Sequence, residues 1–159
     1  MDAINSPNKK QLIEQLRATY PKLQFVPAEY FYWHPPSRTV FYVSQALSEP
    51  EGLYDLFHEL AHGLLDHQAY EYDVSLIQME AEAWAKAQEL LSSFLSFDDG
   101  YAQASLATYQ SWLEKRSRCP ACQHTGVQKN KYTYQCINCR CIWRVNDAKF
   151  CELRRYQLA

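Results

Sequence analysis

The stretch LYDLFHELAHGLLDH, residues 53–67, constrains this chain more than any other feature, because it asks a largely apolar helix to carry His58, Glu59 and His62. A helix turns once in about 3.6 residues, so His58 and His62 project from one face a turn apart and can converge on one ion. Glu59 falls about 100° round the helix from His58, where it can reach a water held by that ion without ligating it. The spacing separates two jobs, holding a metal and taking a proton. Coincidence is the plainer alternative. The apolar flanks weigh against it, since they bury the helix that must hold the ligands rigidly.

The chain has 159 residues, enough for one well-buried domain with a small appendage. Its 47% hydrophobic content and only four glycines exclude a disordered or low-complexity chain. No stretch approaches the length needed to cross a bilayer and the N-terminus does not read as an export signal, so a cytoplasmic address without membrane partners is the expectation. The charge is uneven. Residues 1–117 hold 8 Lys/Arg against 16 Asp/Glu, whereas residues 118–159 hold 8 against 2. All six cysteines also lie in the last third, which with the charge shift places a domain boundary at Ser117.

Ser6 and Pro7 read as the cap and first turn of a helix over 7–20, in which Leu12, Ile13, Leu16 and Tyr20 recur at helical spacing. Residues 23–26, 30–33 and 39–43 are rich in aromatic and β-branched residues and predict a small antiparallel sheet. Pro50 opens the helix that carries the histidines. A third helix is expected from Asp73 or Ser75 to Phe94, and a fourth from Asp98 or Asp99 to about Arg116, with Ala102, Leu106, Tyr109 and Leu113 as its stripe.

A catalytic zinc usually takes three protein ligands and leaves a position for water. The register HExxHxxGxxH would need glycine and histidine at 65 and 68, where this chain has Leu65 and Gln68. His67 is out of register and reads as a solvated residue or a favourable cation at a helix end. The third helix offers a better ligand. Setting Leu76 at zero and stepping about 100° per residue, Trp84, Ala87, Leu91 and Phe94 cluster within one stripe and Glu80 falls in its middle. A carboxylate on a buried face is expensive unless a cation meets it, and zinc would supply that charge. Glu80 is therefore the expected third ligand. Glu82 falls on the opposite side, where it can pair with Lys86.

LFHELAHGLL followed by EAEAWAKA resembles the gluzincin metallopeptidases, most nearly the ImmA/IrrE type, from the strand near residue 40 through the third helix. The resemblance implies an α+β fold, a mainly helical metallopeptidase core with a small antiparallel sheet. It also implies His58, His62 and Glu80 on zinc and Glu59 as general base. One departure stands out. Where such families place Asp or Asn four residues after the ligand glutamate, this chain has Trp84. An indole donates a hydrogen bond but cannot accept one from an imidazole N–H, so another group must orient the ligating ring. Tyr70, Tyr72 or His67 can stabilise an oxyanion, and the strand at 39–43 can pair with an extended substrate; packing explains the tyrosines and the strand equally well.

Cys119/Cys122 and Cys136/Cys139 form two CxxC knuckles around a hairpin-like segment. Four thiolates at this spacing close a tetrahedral zinc shell, and the pattern resembles a zinc ribbon over 118–159. A redox dithiol is the alternative for one CxxC pair, and Cys141 is an alternative ligand to Cys139. Cys151 reads as a small buried hydrophobe on a closing helix. The basic residues of this module, interleaved with Tyr132, Tyr134, Trp143 and Tyr156, can contact nucleic acid or an acidic protein. SprT-like proteases also join HExxH to a cysteine ribbon but take a third histidine, and the histidine after His67 is His124, inside the ribbon.

The leading expectation is a zinc metalloendopeptidase with a catalytic and a structural Zn2+, acting on a protein or peptide substrate that its ribbon recruits. Zinc would lower the pKa of a bound water and polarise the scissile carbonyl, while Glu59 moves the proton to the leaving amine. A catalytically inactive zinc-binding regulatory or nucleic-acid-binding module is the alternative.

Overall fold

A computed structural model describes residues 9–147 and 152–158. The chain divides into two compact units, residues 1–69 with 82–98 and residues 70–81 with 99–159. The fold is α+β. Among the described residues no helix is long and apolar enough to cross a membrane.

The first unit begins with α1 (Lys9–Thr19), whose Leu12, Ile13 and Leu16 are buried at the spacing of one helical face. Residues 7 and 8 of the expected helix lie outside the described residues. Strands β1 (Gln24–Pro27), β2 (Tyr32–His34) and β3 (Thr39–Tyr42) form a sheet in the order β1-β3-β2. The β2/β3 pair is antiparallel, with Tyr32 opposite Phe41 and their rings stacked at 4.2 Å. Strand β1 joins β3 in parallel. Both edges of β3 are thus occupied, so its aromatic run is internal sheet and not a landing strip for substrate backbone.

Helix α2 (Pro50–Leu64) packs on β2 and β3. Pro50 sits in its first turn, where a missing N–H costs nothing. Tyr54 Oη donates to the carbonyl of Ser96 at 2.9 Å, tying the start of the helix to the segment after α3 (Asp73–Leu91). Gly52 lets α2 begin tight against the turn at residues 46–48. A Cβ there would stand 2.0 Å from the Ala46 carbonyl oxygen, a backbone atom that cannot swing away. Gly52→Ala should cost about 1–3 kcal/mol, the usual range for overpacking, and urea unfolding of the full chain would measure it.

The second unit holds the first turns of α3, helix α4 (Asp99–Ser117) and the antiparallel sheet β4 (Gly126–Asn130), β5 (Thr133–Cys136), β6 (Ile142–Val145) and β7 (Arg155–Leu158), in that order. On α4 Ala102 is buried, while Leu106, Tyr109 and Leu113 are only half-buried, so the expected stripe is shallow. The sheet packs Tyr134, Trp143 and Val145 against Cys119 and Cys136. Gly126 is required beneath Trp143, since a Cβ would lie 2.2 Å from the indole ring. The closing helix expected to carry Cys151 falls where residues 148–151 lie outside the described ones. The last described residues form β7, which pairs with β6 from Ile142–Leu158 to Val145–Arg155.

Candidate metal centre

His58 and His62 stand one turn apart on α2, both buried, with their Nε2 atoms 3.1 Å apart. Zinc–nitrogen bonds of about 2.0–2.1 Å in a tetrahedral shell hold two donor nitrogens roughly 3.3 Å apart, so these atoms are spaced for a shared ion. Glu80 is buried on α3 in the stripe Leu76, Glu80, Ala83, Trp84, Ala87 and Leu91. His58, His62 and Glu80 each bring one ligand atom within 4.8 Å of the others. Two imidazoles and one carboxylate are a donor set suited to zinc with a position left for water. Glu59 is half-buried beside them and is not one of the three.

Close packing presents the helix at this depth. A Cβ on Gly63 would lie 3.0 Å from the Trp33 ring and 3.2 Å from Leu23, so glycine lets the sheet approach behind the histidines. Trp84 lies face to face with His58, centroids 4.1 Å apart and planes at 24°. Trp84 thus covers one face of the His58 ring with a flat aromatic surface.

His67 departs from its sequence reading. It is buried rather than solvated, and its Nδ1 lies 2.8 Å from Nδ1 of His62. Its Nε2 lies 3.4 Å from Oε2 of Glu82. Glu82 therefore faces His67, while Lys86, its expected partner, bonds both carboxylate oxygens of Glu89 at 3.0 Å.

The geometry behind this is a helix stop. Asp66 takes a left-handed φ of 55°, the N–H of His67 donates to the His62 carbonyl at 3.0 Å, and the N–H of Asp66 donates to the Gly63 carbonyl at 3.4 Å. These are the paired bonds of a Schellman stop, which brings the second residue past the cap back over the last full turn. That is where His62 lies. Trp33 Nε1 further fixes the turn by donating to the His67 carbonyl at 2.9 Å.

The other two oxyanion candidates are placed as follows. Tyr70 is half-buried under Lys131, whose Nζ is 5.2 Å from its ring, and burial pushes its hydroxyl pKa up to about 12. Tyr72 is exposed.

Cys119, Cys122, Cys136 and Cys139 form a second group. Cys119 and Cys139 sulfurs are 3.6 Å apart, and those of Cys122 and Cys136 3.5 Å. Four Zn–S bonds of about 2.3 Å at tetrahedral angles space sulfurs by roughly 3.8 Å, so the cluster has the right size. Cys141 is outside the group. Each knuckle turns through a left-handed residue after its second cysteine, Gln123 and Arg140, both at φ 63°. Backbone N–H groups of Ala121 and Asn138 point at Cys119 and Cys136 sulfurs, each at 3.4 Å. The backbone N–H of His124 beside Cys122 draws that thiol down to about 5, whereas Cys139, despite the backbone N–H of Cys141, is pushed up to about 12 by its hydrogen bond with Cys122, so the four sulfurs share their protons as one group.

The IrrE N-terminal-like domain, Peptidase_M78, matches residues 16–129. The chain belongs to this family. The Peptidase_M78 match takes in α2, α3 and α4, both histidines, Glu59 and Glu80, and extends past the first cysteine knuckle into β4. Cys136 and Cys139 lie beyond it. No curated protein and no solved structure matches the chain at a significant level. Family and geometry together make residues 16–129 a metallopeptidase-type domain with residues fit for zinc.

Proposed function

We propose that this protein is a zinc-dependent endopeptidase, with His58, His62 and Glu80 holding the catalytic ion and Glu59 as general base. The observation that carries the reading is the convergence of those three buried ligand atoms within 4.8 Å, with Glu59 half-buried on the adjacent helical position. When bound, the ion supplies Lewis acidity, polarising a scissile carbonyl and acidifying a water. Glu59 accepts the proton of the attacking water and delivers it to the leaving amine. Glu80 brings the charge that offsets the cation in a buried site. Trp84 excludes water from one face of His58 and holds the ring in plane.

A second zinc ion in the cysteine cluster holds the ribbon together, since so small a module gains much of its folding energy from metal. The ribbon then docks the substrate or a nucleic acid through Lys129, Lys131, Arg140 and Arg144. A cytoplasmic protein substrate fits this reading.

One feature favours a second function. Trp84 supplies stacking where related patterns use a carboxylate or amide, which suits a regulatory or nucleic-acid-binding module that keeps the centre without turnover. Incubating the zinc-loaded chain with a peptide library, beside Glu59→Gln, separates the two. Cleavage by the wild type alone, at equal zinc content, supports the peptidase. Two inert proteins with full zinc support the module.

A further inference from the structure

We propose that His67 and Glu82 are positioning residues that select the tautomer of His62 and thereby set the metal affinity of the centre, an inference that rests on reading His58, His62 and Glu80 as metal ligands. It follows from an inventory of protons. His62 turns Nε2 towards His58 Nε2, 3.1 Å away, so Nε2 is its ligating atom. A ligating nitrogen carries no proton, and the proton of the neutral ring must sit on Nδ1. That Nδ1 is 2.8 Å from Nδ1 of His67. His62 is the donor and His67 the acceptor.

A neutral His67 with a bare Nδ1 carries its own proton on Nε2. Nε2 faces Glu82 Oε2 at 3.4 Å, and an ionised carboxylate can only accept. One arrangement of protons therefore runs from His62 through His67 to Glu82 and leaves His62 Nε2 bare. The reverse arrangement puts a proton on the atom that must bind metal. Since 3.4 Å is long for a hydrogen bond and Glu82 is half exposed, its share is chiefly electrostatic and smaller than that of His67. The relay is held before any ion arrives, because the Schellman stop and the Trp33 bond fix the backbone of His67.

The relay is testable by zinc competition between the full chain and a chromogenic chelator, with His58→Ala marking the phase that belongs to this centre. His67→Phe should weaken zinc in that phase by about 10–100-fold, the usual effect of losing an outer partner of a ligating histidine. His67→Asn places an amide oxygen at the same bond count from Cβ as Nδ1 and should recover most of the loss. Glu82→Gln should weaken binding by about threefold or less. In the zinc-loaded wild type, long-range proton–nitrogen correlation should show the His62 proton on Nδ1, slow to exchange, and His67→Phe should make it fast. Equal melting of the metal-free variants checks that all are folded.

Zinc affinity of His67→Phe within about threefold of wild type would overturn the relay. So would equal weakening by Phe and Asn, or a proton found on His62 Nε2. Failure of the peptidase reading looks different: zinc binds and responds to His67 as described, but no peptide is cut.

Discussion

Glu59→Gln should lower kcat on a cleavable peptide by about 10²–10⁴-fold while leaving the zinc content of the protein unchanged. The amide has the size of the carboxylate and keeps an acceptor oxygen, but at neutral pH it cannot take a proton from water. Metal retention is expected because the three buried atoms that could hold an ion belong to His58, His62 and Glu80 and not to Glu59. Stability should also hold. Glu59 is only half-buried, so a near-isosteric change there should move the melting temperature by no more than about 2 °C. The measurement is kcat and KM for both proteins alongside a metal count and a melt. A loss shared with zinc would mean that Glu59 helps to hold the ion, and equal turnover would remove it from the chemistry.

Glu80 was legible because a charge within an apolar stripe must be explained, and the structure keeps it buried between Leu76 and Trp84. The histidine pair was legible because helical period alone puts them on one face. His67 was not. It lies beyond the last helical residue, where period carries no information, and its return depends on a left-handed residue that is Asp66 here. Glycine at that position is the usual signal of such a stop, and its absence hid the turn. An aspartate or asparagine tolerates the same conformation, and an Asp two residues past the last helical position would have been the clue.

The sheets show a second kind of limit. Aromatic and β-branched runs located β1, β2 and β3, but the direction in which β1 meets β3 is decided by the connection and not by side-chain pattern. At the other end of the chain the last described residues complete the second sheet, because β6 offers unpaired backbone that β7 satisfies.

Arg116 carries the other large prediction, and it concerns the second unit. It is 1% exposed and pairs with Asp73 at 3.2 Å. Its Nη1 and Nη2 donate to the carbonyls of Asn146 at 3.0 Å and Lys131 at 2.9 Å respectively, and Trp112 stacks over it at 4.2 Å. Tyr134 Oη donates to the same carboxylate. One guanidinium thereby joins α4, the start of α3 and two loops of the cysteine module. Arg116→Met should cost about 3–5 kcal/mol, because it leaves a buried carboxylate without its counter-charge and two carbonyls without their donors. Asp73→Leu combined with Arg116→Met should cost less than Arg116→Met alone, since it removes the uncompensated charge.

The pH dependence gives the sign. Burial raises the Asp73 carboxyl above its ordinary value even though Arg116 pulls it down. A raised folded value means that the fold prefers the protonated acid, so this group's contribution is full below the unfolded value and is lost as pH rises through the folded one. Without Arg116 the folded value climbs further. The deficit of Arg116→Met against wild type, compared at equal pH, should therefore be larger near about pH 8 than near about pH 5. Urea midpoints at both conditions read it, and a deficit independent of pH would place the cost in lost packing and carbonyl bonds instead of in the uncompensated carboxylate.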